Sequence, residues 1–327
     1  MAKYFVTGAT GFIGGELVKQ LIGRGHKVVA LVRAPERAGM LKALGVEMHA
    51  GDITDRETLK APMTGVDGVF HVAAWYKVGV NEPLADRINV DGTRNVLQCM
   101  RALEIPRGVY TSTVAVFSDT RGAVPDEAYR YDGPHLSEYD RTKWIAHYRV
   151  AQPKIDDGLP LSIVMPGVVY GPGDTSAMRT AFVDLLRGRL PMTPARTAFC
   201  WAHVEDTARG HILAMEKGKP GETYIVTGPR HTFEQAFDIA ARVARVRAPM
   251  MHPGPHTMRA VSQAMKVVGR FVKLPPAFQP EALRVLAGTT YFGANDKAVR
   301  ELGFSARPLE EGLAQTLEHE LRLLGRV

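Results

Sequence analysis

The chain has 327 residues, 45% of them hydrophobic and 23% charged, the proportions of a globular enzyme with one large α/β domain or two sharing an interface. No stretch near twenty residues lacks a charge, so no membrane-spanning helix is expected, and the glycine-rich start fails as a signal peptide, which leaves a cytoplasmic location as the expectation. The formal charge of +7 comes from basic residues scattered along the chain, without an arginine-rich tail or an aromatic-interleaved motif; it suits small anionic ligands and argues against a nucleic-acid partner.

Lys3–Thr7 reads as a first strand and Ile13–Arg24 as a helix closed at Gly25. Between them runs Thr7-Gly8-Ala9-Thr10-Gly11-Phe12-Ile13-Gly14. Glycines at 8, 11 and 14 allow a tight turn, close approach of backbone to a pyrophosphate, and close helix–strand packing. The helix then aims its first N–H groups at the phosphates. Gly8, Thr10, Gly11, Phe12, Ile13 and Gly14 are therefore the expected dinucleotide loop. Lys27–Val32 is the next strand. An acidic residue at its end would accept bonds from the ribose hydroxyls. Arg33 stands there instead and favours a 2′-phosphate, so the expected cofactor is NADP, with Arg37 as a helper. A helix over Pro35–Leu44 and a short strand, Glu47–Ala50, follow. Asp52 and Ile53 come next, either at the adenine edge or, for Asp52, capping a helix that begins near Asp55.

Gly68–Val72 is predicted as a strand, Pro83–Ala102 as a long helix, and Gly108–Thr113 as a buried strand running out into hydroxyl residues. Thr113, with Ser112 in reserve, is placed to bond a substrate oxygen. A helix over Ser137–Ala151 carries Tyr139 and Lys143 at i and i+4, on one face. A tyrosine pKa near its ordinary value of about 10 hinders proton traffic at neutral pH. A lysine ammonium and an oxidised nicotinamide nearby would lower it. Tyr139 is thus expected to pass a proton to a carbonyl oxygen while NADPH gives hydride. Leu161–Met165 is a further buried strand.

Beyond about Pro166 the sequence becomes richer in proline, glycine and methionine. His203–Met215 reads as a helix, and Thr223–Val226 as a strand returning to the sheet. The expected fold class is α/β, a Rossmann-type doubly wound parallel sheet with a smaller C-terminal substrate-binding lobe. Residues 1–169 form the dinucleotide-binding domain, rejoined by 200–227; residues 170–199 and 228–327 form the lobe. Met178, Met192, Met250, Met251 and Met258 are expected chiefly as core packing, with adaptable surface for a bulky substrate as the other reading. Cys99 and Cys200 are expected as small buried hydrophobes and not as metal ligands. Thr257–Lys273, with Arg259, Lys266, Arg270 and Lys273 on one side, reads as an ordinary amphipathic helix, with a membrane-surface helix or a flap over a lipid-like substrate as the other readings.

The motifs VTGATGFIG (Val6–Gly14), GDITD (Gly51–Asp55), FHVAAWY (Phe70–Tyr76), NVDGTRNV (Asn89–Val96), YDRTK (Tyr139–Lys143) and HVEDTARGH (His203–His211) occur in this order. With them the chain resembles the extended short-chain dehydrogenase/reductases, also called the NAD-dependent epimerase/dehydratase family, and within it the dihydroflavonol-reductase-like proteins. The resemblance implies that Ala73 and Ala74 line the adenosine-to-ribose stretch, and that Pro166, Gly167 and Val169 border the nicotinamide. It also implies that Thr113 holds the catalytic hydroxyl position and that Lys143 bonds the nicotinamide ribose. Sugar-nucleotide members typically keep an acidic residue where this chain has Val32 and Arg33. The expected activity is an NADP-dependent oxidoreductase that reduces a carbonyl, or oxidises the alcohol, of a small apolar substrate. The alternatives are an NAD-dependent sugar-nucleotide epimerase or dehydratase and a non-catalytic NADP-sensing regulatory protein. The expected partners are a small-molecule substrate and, as the assembly considered, a second copy in a homodimer.

Overall fold

Phe5 and Val6, Val28 to Ala30, Val69 and Phe70, Val109 and Tyr110, and Ile163 to Met165 are all buried, as strands covered on both faces require. In the computed structural model, which describes residues 1–76, 82–272, 274 and 278–326, these runs form one sheet. In chain order the strands are β1 (Lys3–Thr7), β2 (Lys27–Val32), β3 (Glu47–Ala50), β4 (Gly68–His71), β5 (Gly108–Thr111), β6 (Leu161–Pro166), β7 (Val168–Tyr170), β8 (Ala198–His203), β9 (Thr223–Val226), β10 (Arg230–Thr232) and β11 (Thr290–Tyr291). Seven of them pair in the order β3-β2-β1-β4-β5-β6-β9, every pairing parallel.

Alternate residues divide the core into two faces. Phe5, Val29, Val69, Tyr110 and Ile163 pack with Leu59, Val96, Ala146 and Val150 on one side. Val6, Ala30, Phe70, Val109 and Val164 pack with Leu17, Leu21, Ala208 and Ile212 on the other. Burying side chains such as Leu59 on one face and Leu17 on the other contributes roughly 1.5–3 kcal/mol each, so both helical layers are anchored to the sheet. β1 lies between β2 and β4, and the connections leaving it and its neighbour run to opposite faces. The crevice at that switch point is where open α/β sheets take ligands.

Several elements differ from the sequence expectation. Pro35–Leu44 is divided into a 3-10 turn, Pro35–Arg37, and a helix, Gly39–Ala43, because Ala38 turns inward (φ −96°, ψ 43°) to bury its methyl group. The Pro83–Ala102 helix contains a widened π-type turn at Asp86–Gly92 before Thr93–Ala102. The helix of Tyr139 opens at Glu138 under a Ser137 cap, widens in the same way at Ala146–Ala151, and continues through Gln152–Asp156. The strand expected to end at Thr113 ends at Thr111; Thr113 instead caps a 3-10 turn, Val114–Phe117.

The second half of the chain holds a further sheet that the sequence did not announce. β8 pairs with β7 and β11 in parallel and with β10 antiparallel. Helices Ala177–Leu186, Phe233–Ala244 and Leu309–Leu323 pack beside it through Phe182, Phe233, Phe237, Leu313 and Leu317. Cys99 and Cys200 are buried free thiols. Core packing holds for Met258, while Met192, Met250 and Met251 are exposed. The surface segment expected over Thr257–Lys273 is a helix at Pro255–Val268, and Lys273 lies outside the described residues.

Candidate active site

The turn after β1 is shaped by what its glycines exclude. Gly8 has φ +74°, and a Cβ there would lie 2.7 Å from the Ala73 nitrogen. A Cβ on Gly14 would lie 2.1 Å from the Gly8 carbonyl oxygen. The turn is closed by the Gly11 N–H donating to the Gly8 carbonyl at 2.9 Å. Gly11 caps the Phe12–Gly23 helix with no side-chain acceptor, and the first helical turn has no acidic residue. First-turn N–H groups have no acceptor within a helix, so those of Phe12, Ile13 and Gly14 are left for an anion. These residues fit a dinucleotide pyrophosphate.

A hydroxyl–imidazole chain fixes the opposite wall. Thr7 Oγ1 accepts N–H bonds from Val72 and Ala73, both at 3.2 Å, and lies 2.8 Å from His71 Nδ1. Thr93 donates its hydroxyl to the Asn89 carbonyl, so its oxygen accepts from His71 Nε2 at 2.9 Å. The Thr7 hydroxyl must then donate to Nδ1. Burial holds this imidazole neutral, with its pKa pushed down to about 3. Asn89 accepts the Trp75 N–H and donates to the Trp75 carbonyl and to Thr142 Oγ1, which joins the segment after Ala73 and Ala74 to the helix of Tyr139. The sequence reading singled out none of Thr7, His71 and Asn89.

Arg33 projects into solvent at the end of β2, with no ion pair among the described residues. Arg37 is exposed as well, with its Nε 4.0 Å from Glu36. Asp52 does not cap the following helix. Its Oδ1 accepts from the Thr54 N–H at 2.9 Å in a local turn, because Glu57–Met63 starts later and Asp55 Oδ1 takes the Glu57 N–H. Ile53 is buried, with its side chain against Gly92.

Tyr139 and Lys143 share one helical face. Thr113 lies beside Tyr139, close enough to lower its phenol pKa, and its hydroxyl oxygen accepts the Ala115 N–H at 3.2 Å. Ser112 is occupied elsewhere, its hydroxyl 2.8 Å from His147 Nδ1. This separates the two hydroxyls that the sequence left ranked only by preference. Lys143 is 2% exposed and donates to the Thr111 carbonyl at 2.6 Å and the Tyr110 hydroxyl at 3.1 Å. As an ammonium it has three N–H groups, so one remains for a ribose hydroxyl. The Tyr76 ring meets that of Tyr139 edge-on, with centroids 4.8 Å apart.

Protonation here runs against the simple expectation of a lowered tyrosine pKa. Burial pushes the Tyr139 phenol well above its ordinary value, and the neighbouring Thr113 side chain only partly offsets this. Burial also pulls Lys143 down to about 7. Both shifts have one cause: a dry crevice disfavours either charge. Pro166 is buried at the end of β6, Gly167 lies against the Cys200 carbonyl, and Val169 sits in β7 beside Ala202.

A family model described as NAD dependent epimerase/dehydratase matches residues 4–227. A Synechocystis sp. protein that bears the name dihydroflavonol 4-reductase provisionally is 32% identical over 96% of this chain and 93% of its own length. A Stigmatella aurantiaca protein named 4-hydroxy-2-methyl-3-oxo-4-farnesyl-3,4-dihydroquinoline-1-oxide ketoreductase is 32% identical over 93% of this chain and 92% of its own. Among solved structures, that of gox2253 superposes with a TM-score of 0.87 and 29% identity over 100% of both chains.

Proposed function

The chain belongs to the NAD-dependent epimerase/dehydratase family, the extended short-chain dehydrogenase/reductases, and from that premise we propose that it is an NADP-dependent reductase of a carbonyl on an apolar substrate. The observation that carries this reading is the placement of Tyr139 beside Thr113 and on one helical face with buried Lys143, at the carboxyl ends of strands that also hold a pyrophosphate cradle. A reduced nicotinamide, when bound, supplies hydride. Tyr139 donates its phenolic proton to the carbonyl oxygen, and its raised pKa keeps that proton in place at neutral pH, as the reductive direction needs. Thr113 holds the same oxygen beside the phenol. Lys143 offers its remaining N–H to the nicotinamide ribose. Ala73 and Ala74 line the adenosine-to-ribose stretch, Asp52 and Ile53 the adenine edge, and Pro166, Gly167 and Val169 the nicotinamide. Substrate recognition falls to residues 170–199 and 228–327. An apolar substrate is supported by the ketoreductase relative, whose named substrate carries a farnesyl chain.

Arg33 supports NADP because a guanidinium at the end of β2, with no ion pair among the described residues, makes charge-assisted bonds to a 2′-phosphate. Titrating both reduced cofactors should show NADPH preferred by at least about tenfold, on the order of 1.4 kcal/mol, and Arg33→Ala should abolish the preference. Equal affinities in the parent protein would remove Arg33 from this role. The reaction itself is tested by following NADPH consumption with a panel of apolar ketones. Purified protein that retains NAD, oxidises no NADPH with any ketone and interconverts sugar nucleotides would replace the reductase with an epimerase.

A further inference from the structure

The cations of this chain are spread along it, but its excess of charge is local. Between Asp238 and Glu281 there is no acidic residue, while seven arginines and lysines occur: Arg242, Arg245, Arg247, Arg259, Lys266, Arg270 and Lys273. The rest of the chain holds equal numbers of acidic and basic side chains, so this run accounts for the whole formal charge of +7. Within it, the Pro255–Val268 helix buries only a narrow stripe. Met258, with Val261 and Met265 partly covered, packs on Leu283, Ala287 and Leu286 as a small separate core. The free end of the helix and the turn after it are not polar. Val267, Val268, Phe271, Val272 and Phe278 are exposed, Phe271 by 82% and Val272 by 55%. The turn is itself ordered, with the N–H groups of Phe271 and Val272 donating to the Val268 carbonyl at 2.9 and 3.1 Å. Lys266 and Arg270 flank this apolar tip, and neither has an ion pair among the described residues.

We propose that the Pro255–Val268 helix and the turn bearing Phe271 and Val272 dock this protein onto the surface of an anionic lipid bilayer. An ordinary amphipathic helix of a globular domain shows polar residues to water; this one shows valine and phenylalanine framed by cations that have no ion pair among the described residues. That pairing of a shallow apolar wedge with basic side chains is what anionic interfaces bind. No acidic residue in the run opposes the lipid charge. Attachment is peripheral, since no helix among the described residues is long and apolar enough to cross a membrane. The same helix, through Arg259, Ser262 and Lys266, lines a crevice of about 840 Å3 whose facing wall is Ser137, Glu138 and Arg141, at the start of the helix of Tyr139. A molecule leaving the bilayer at the tip would therefore arrive at the element that carries the proton donor. The docking claim does not rest on the reductase reading, because vesicle binding is measured without turnover.

The test is co-sedimentation of the full chain with vesicles of phosphatidylcholine and phosphatidylglycerol, and with phosphatidylcholine alone. Binding is expected only to the anionic vesicles, and it should weaken as salt is raised. The double variant Phe271→Ser, Val272→Ser should reduce binding by on the order of tenfold, and so should Lys266→Gln with Arg270→Gln. All four positions are exposed, so thermal unfolding should match the parent. Absence of parent binding to anionic vesicles at low salt would overturn the proposal, as would binding that the apolar double variant leaves intact. It would also be overturned by a parent dimer that the Phe271 variant converts to monomer without any vesicle binding, which would make a second copy the occupant.

Discussion

Burial moves Tyr139 and Lys143 toward their neutral forms, and each shift can be measured. Tyr139→Phe keeps the ring beside Tyr76 while removing the one transferable proton. Turnover should fall roughly 10²–10⁴-fold with dinucleotide affinity nearly unchanged; near-normal turnover would discard the mechanism. Burial holds Lys143 at a folded pKa of about 7, below the ordinary lysine value of about 10.4. The unfolded chain thus binds the extra proton between those values, and the penalty for burying the ammonium is full below about pH 7 and relieved as pH rises toward 10. Lys143→Met should raise the melting temperature of the dinucleotide-free protein at pH 7, with the gain shrinking by pH 10, while weakening dinucleotide binding. Melts at several pH values together with cofactor titration check both halves. Tyr139, Lys143 and Thr113 were legible because chemistry needs those residue types at fixed spacing after a glycine loop. Thr7, His71 and Asn89 were not, since their roles depend on partners brought together by the sheet: Thr7 and His71 meet only because β1 pairs with β4.

The glycine turn separates folding from binding within one element. At Gly14 an added methyl would strike the Gly8 carbonyl at 2.1 Å, so Gly14→Ala should destabilise the fold. At Gly11 an added methyl would meet only the Gly8 carbonyl, at 3.2 Å, and the residue is otherwise exposed. Gly11→Ala should therefore melt within a few degrees of the parent yet lose dinucleotide affinity, as read by fluorescence titration. A Gly14→Ala protein as stable as the parent would contradict the close-packing argument. The parallel strands were readable as continuous apolar runs, and their helices as periodic ones. The divided Pro35–Leu44 segment was not, because the demand to bury Ala38 overrides local propensity. β10 and β11, with three and two residues, are too short to carry any period, and they exist only as partners of β8. The widened turns at Asp86–Gly92 and Ala146–Ala151 also left no mark in the sequence, though they hold Asn89 and His147 against the site.

Across the whole molecule, acid should be the weak side. His71 and His147 are pushed down to about 3, His203 and His211 to about 4, in each case chiefly by burial. Unfolded histidines protonate near 6.5, so between about pH 4 and 6.5 the unfolded chain binds more protons and stability falls as pH drops. Asp140, raised to about 7 by burial with Tyr291 donating to it, acts in the opposite sense over most of that window. The four imidazoles outnumber it, so the net slope still runs toward lower stability in acid. Urea unfolding at pH 7.5, 6 and 5 should show stability falling steeply with acid; a flat profile would mean that these imidazoles already carry protons in the native state. The strand order also governs how the chain assembles in time. β1 to β6 all precede residue 167, and a ribosome can release them as a paired set. β9, which covers the open edge of β6, arrives only after the excursion that builds β7 and β8. Until Thr223–Val226 emerges, the nascent sheet presents an apolar parallel edge with unmet hydrogen bonds, the feature that invites self-association. The excursion between β6 and β9 thus sets a waiting period during synthesis, when the growing chain has most need of a chaperone.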